Sequence, residues 1–119
     1  MSVVTNLIFV FGTLEEQEVR IREVNQYFRE GEKGLISVDD SSLLKGWYGG
    51  TKMLEVYVFI GAFNFFDIDN FMKHIRTIKW ESPEEVQCIF KEQEEYKFRI
   101  IDLVEESRMQ KLYKLLRRD

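Results

Sequence analysis

The chain has 119 residues, 17 basic and 21 acidic, for a formal net charge of −4. That length suits one hydrophobic core, and a single domain is expected over residues 1–119. With 45% apolar residues and one proline, the disordered and collagen-like classes are excluded. A sequence pI near 5.1 argues against coating nucleic acid through bulk charge.

Cys88 is the one cysteine, so no intramolecular disulfide can form. No basic residue precedes the apolar stretch Leu7 to Phe11, which does not read as a signal peptide. The longest apolar run, Val56 to Phe63, has eight residues, against roughly 20 for a membrane-crossing helix. A cytoplasmic location is expected.

Val3 to Phe11 is rich in Val, Ile and Phe and ends at Gly12, predicting a central strand. Thr13 is the expected N-cap of a helix running to about Glu30. Glu15 and Glu16 would lie in its first turn, Ile21, Val24 and Phe28 would form its buried stripe, and Arg20, Arg22, Glu23 and Arg29 would stay solvated. Gly31 would end it. Leu35 to Val38, followed by the turn cluster Asp39 to Ser42 and by Leu43 and Leu44, suggests a short strand or hairpin. Gly46, Gly49 and Gly50 flank Trp47 and Tyr48, giving the backbone freedom to display or tuck in two large aromatics. Met53 to Phe63 predicts the longest strand, with Leu54, Val56, Val58 and Ile60 on one face, Met53, Glu55, Tyr57 and Phe59 on the other, and both faces largely covered.

Asp67 can cap a second helix in which Ile68, Phe71, Met72, Ile75 and Ile78 recur with helical spacing. Ser82-Pro83-Glu84-Glu85 reads as a capping box with proline at the first helical position. Val86, Ile89 and Phe90 fit a helix, whereas Val86, Cys88 and Phe90 fit a strand face. The strand is preferred, because Gln93 to Glu95 looks like a turn and the alternating Tyr96 to Leu103 would complete a hairpin. Glu105 to Arg118 reads as a last helix carrying Met109, Leu112, Tyr113 and Leu116 on one face.

This order contains β-α-β-β-α-β. The expected fold is α+β, a ferredoxin-like sandwich with an additional C-terminal helix; the alternative is an irregular antiparallel α+β sheet.

The chain offers few groups for chemistry. One His and one Cys do not make a zinc site, so no metal, cofactor or catalytic residue is assigned. His74 reads as a surface histidine of the second helix, and Cys88 as a small buried hydrophobe. Asp39 with Asp40, and Asp67 with Asp69, lack EF-hand spacing and read as turn and cap residues. The run Gly46 to Lys52 lacks the phosphate-loop pattern and precedes a strand. Tyr57 and Phe59 could stack on RNA bases if they faced solvent, but Glu55 beside them and the absent RNA-recognition motif disfavour this.

The favoured reading is a non-enzymatic protein-interaction module, of adaptor, regulatory or inhibitor/immunity type. Its candidate partner-binding residues are Trp47 and Tyr48, of hot-spot type, with Glu92, Glu94 and Glu95 to steer a basic protein partner. Self-association is a second option for the partner. The alternatives are a nucleic-acid-binding ferredoxin-like domain, or an enzyme whose polar site is assembled from residues such as Asp39, Lys52, Asp67 and His74.

Overall fold

The computed structural model describes residues 3–40, 49–104 and 115–116. Its elements are β1 (Val4–Gly12), α1 (Gln17–Asn25), β2 (Ile36–Ser37), β3 (Val56–Asn64), α2 (Ile68–Thr77), β4 (Gln87–Glu92) and β5 (Arg99–Asp102), with a 3-10 turn over Pro83–Glu85. The five strands form one antiparallel sheet in the order β2-β3-β1-β4-β5. The fold class is therefore α+β.

Strand β1 lies at the centre because both its edges are paired, to β3 and to β4. Its side chains alternate: Leu7, Phe9 and Phe11 are fully buried, whereas Asn6, Ile8 and Val10 are half-buried. The buried set meets both helices, since Val24 of α1 and Phe71, Met72 and Ile75 of α2 join Phe9, Phe59, Cys88 and Phe90 in one core. Phe9 packs edge-on against Phe71 at 6.0 Å and Phe11 stacks on Phe59 at 5.3 Å. Both helices thus cover the same sheet face.

The second helix forms as its spacing predicts. Asp67 Oδ1 accepts the Asn70 N–H at 3.0 Å, and Phe71, Met72 and Ile75 are buried. The first helix departs from expectation at both ends. Thr13 does not cap it; the N-cap position is Glu16, without a side-chain cap, and Glu15 precedes the helix. The helix ends at Asn25 rather than near Glu30, because Asn25 turns its amide onto the β2 segment, accepting from Leu35 N and donating to Leu35 O, both at 3.0 Å. Arg20 is not solvated either, being held against Glu15.

Strand β3 starts at Val56, where its partner β1 ends at Gly12, so Met53, Leu54 and Glu55 lie outside it and are exposed. Among the described residues the core covers one of its faces: Phe59 is buried with Tyr57 and Phe63 packed around it, while Val58 and Ile60 face away and are half-buried. Ser82 makes no side-chain cap to the 3-10 turn. The residues after it form a strand, with Cys88 and Phe90 buried, and β5 covers only the second half of the expected Tyr96 to Leu103. The expected helix over Glu105 to Arg118 lies outside the described residues except for Leu115 and Leu116, which are helical and exposed. Leu43 and Leu44 are outside them as well.

Candidate binding surface

Directly opposed residues of an antiparallel pair point to the same side of the sheet. The register places Ile36 opposite Ile60, Ile60 opposite Ile8, Ile8 opposite Ile89, and Ile89 opposite Ile100. One row of isoleucines therefore crosses all five strands, on the face away from Phe9 and both helices. Val10 and Val58 extend it on one side, and Asn6 and Ala62 on the other. No described element packs over this band: Ile100 at its edge is 61% exposed, Ile8, Ile36, Ile60 and Ile89 are half-buried, and Val38, whose N–H donates to Val58 O at the β2 end, is buried outside the main core.

Polar groups border the band. Gln87 Nε2 donates to Asp102 Oδ1 at 2.7 Å on the Val10 side. Asn6 Nδ2 donates to the Lys91 carbonyl at 3.3 Å on the other side. An apolar centre with a polar border departs from a solvated sheet face, which would alternate polar residues.

The expected binding residues Trp47 and Tyr48 lie outside the described residues. Glu92, Glu94 and Glu95 sit where β4 turns into β5. The turn uses two of them: Glu95 N donates to Glu92 O at 2.9 Å, and Glu92 N donates to Glu95 Oε1 at 3.3 Å. Arg99 donates to the same carboxylate at 2.9 Å and holds it below its ordinary pKa, outweighing partial burial. Arg99 also covers the Phe90 ring, 4.5 Å from its centroid. Glu94 is exposed.

The remaining chemical groups are occupied with the fold. His74 Nε2 lies 2.7 Å from the Glu23 carbonyl, bridging the two helices, so it is not a surface histidine free of contacts. Cys88 is buried, and burial pushes its thiol up to about 12, far from a nucleophile's range. Tyr57 and Phe59 belong to the helix-covered face, so they present no stacking platform to RNA bases. Among the described residues, no three His, Cys, Asp or Glu side chains converge as a metal site.

A buried carboxylate escaped the sequence reading. Glu15 accepts from Arg20 Nε at 2.8 Å, from Glu81 N at 3.1 Å and from Ser82 N at 2.7 Å. Burial raises its pKa, but the Arg20 guanidinium and the two backbone N–H groups more than compensate and leave it below the ordinary value. Two of its three donors lie more than sixty residues away in the chain, beyond the reach of any local motif. The isoleucine row did have a signal, the strict alternation around Ile8, Ile60, Ile89 and Ile100, but joining these residues requires the strand register.

A separate shallow cleft of about 330 Å³ opens beside Tyr27, Phe28, Phe63, Phe65 and Phe66. Phe65 holds a left-handed backbone with φ of 52° while the residue is 73% exposed.

Comparison of the chain with protein-family models, with curated proteins and with solved structures finds no match.

Proposed function

We propose that the protein is a non-enzymatic interaction module that binds another protein through the helix-free face of its sheet, as an adaptor, regulatory or inhibitor subunit. One observation carries this reading: the isoleucine row crosses five strands and no described element covers it. Leaving such a band in water forgoes roughly 25 cal/mol for each Å² of apolar surface, which a partner recovers on binding. The exposed Glu94 adds negative charge beside β5, which favours a basic surface nearby.

We read the connectivity as ferredoxin-like with one added edge strand. Taken from the β4 side, the first four strands lie in the order β4-β1-β3-β2, with β1 and β2 joined through α1 across the intervening β3. A cytoplasmic location fits the single thiol of Cys88, and no described helix is long and apolar enough to cross a membrane.

The test is capture from native cell extract by immobilised wild-type protein and by an Ile89→Lys variant whose melting curve shows it folded. Retention of a protein by the wild type and its loss from the variant supports the reading. Equal retention by both variants, or retention of nucleic acid instead, overturns it.

A further inference from the structure

The face that no described element covers has a charge pattern that matches itself. Along β4, Gln87, Ile89 and Lys91 share this face, and Gln87 is opposite Asp102 of β5 while Ile89 is opposite Ile100. Lys91 therefore lies on one side of the isoleucine row, and the Gln87–Asp102 pair lies on the other. Among the described strand residues of this face, Lys91 and Asp102 are the charged ones.

A two-fold axis in the plane of a face-to-face contact, running along the row, lays the isoleucines of one copy on those of the other. The same rotation exchanges the two sides of the row. Lys91 of each copy then lies over Gln87 of the other, offset sideways by one strand spacing of about 4.8 Å from its Asp102. Packed sheets lie roughly 10 Å apart, a span that a lysine and an aspartate side chain bridge together. An axis along the strands instead carries Lys91 over Ala62, with no opposite charge to meet. The strands of the two copies run within about 30° of each other, the usual angle of aligned sheet packing.

We propose that the occupant of this face is a second copy of this chain, in a symmetric β-sandwich dimer closed by two Lys91–Asp102 ion pairs. This rests on the reading of the face as an interface and names its partner. β1 and β3 have nine residues each, β4 six, β5 four and β2 two, which gives a footprint of about 480 Å² per copy. The pair buries roughly 1,000 Å², at the lower end for a specific interface, so the dimer dissociates on dilution.

Sedimentation velocity from about 5 to 500 µM tests this. The wild type should shift from monomer to dimer across that range. Lys91→Asp alone and Asp102→Lys alone each place like charges together and should weaken association about tenfold or more, while the double variant restores it. Circular dichroism melts of all four proteins check that each is folded. A wild type that stays monomeric at the highest concentration overturns the proposal, as does a dimer that none of the substitutions changes. Either failure leaves the capture experiment with Ile89→Lys to decide separately whether the face binds a different protein.

Discussion

The Glu15 carboxylate accepts the Ser82 backbone N–H at 2.7 Å, joining the β1–α1 turn to the segment that enters β4 across sixty-seven positions of sequence. Arg20 Nε completes the bond set at 2.8 Å, and its NH1 donates to Glu23 at 2.7 Å. The Glu15 side chain is 0% exposed, so truncation strands two backbone N–H groups and the Arg20 Nε–H, while the guanidinium keeps its contact to Glu23. Glu15→Ala should therefore cost about 3 to 5 kcal/mol and Glu15→Gln, which keeps an acceptor, about 1 to 3, both read by urea denaturation.

The same carboxylate sets a pH dependence. Its folded pKa is below the ordinary 4.5, so its contribution is complete above that value and is lost as pH falls through the folded pKa. Wild-type stability should drop on acidification below pH 4.5 more steeply than that of Glu15→Gln, which has no proton to gain at this site. Parallel slopes for the two proteins would remove Glu15 from this role.

Phe71 is fully buried and packs against the rings of Phe9, Tyr27 and Phe66. Phe71→Ala opens a cavity where sheet and helices meet and should cost about 3 to 5 kcal/mol. An unchanged denaturation midpoint would contradict the packing of α2 on the sheet.

Cys88 should not react with an aromatic disulfide reagent in the native protein, since burial pushes its thiol up to about 12. Labelling should proceed at the rate of unfolding and accelerate in denaturant. Rapid labelling of the folded protein would place the thiol at the surface.

At position 65 the left-handed backbone, with φ of 52°, disfavours any side chain. Because Phe65 is mostly exposed, little packing is lost on truncation, and Phe65→Gly should be more stable than Phe65→Ala by about 1 kcal/mol. Equal stabilities would mean that the backbone at 65 is not held left-handed.

The parts of the fold that were legible are those whose causes are local. Asp67 and the spacing of Ile68, Phe71, Met72 and Ile75 specify α2, and the alternation of Cys88 and Phe90 specifies β4. Strand β1 announced itself by composition and is central as expected. What escaped depends on distant partners. Helix α1 begins late because Glu15 is drawn to Ser82, and it ends early because Asn25 turns to Leu35. The alternation of β3 was visible, but which face the helices cover was not: both pack on the Phe59 side, and Ile60 and Val58 lie on the helix-free side. The isoleucine row was therefore present in the sequence as separate alternating strands, and only their register assembles it.

The proposed interface is tested most directly by the accessibility of individual isoleucine methyl groups to a soluble paramagnetic probe, measured by NMR on methyl-labelled protein. In dilute protein, the methyls of Ile8, Ile60 and Ile89 should be strongly relaxed by the probe, while those of the fully buried Ile75 are spared. Raising the concentration should protect the first three and leave Ile75 unchanged. Methyls of Ile8, Ile60 and Ile89 as protected as Ile75 at every concentration would show that the chain covers this face itself, contradicting its role as a binding surface.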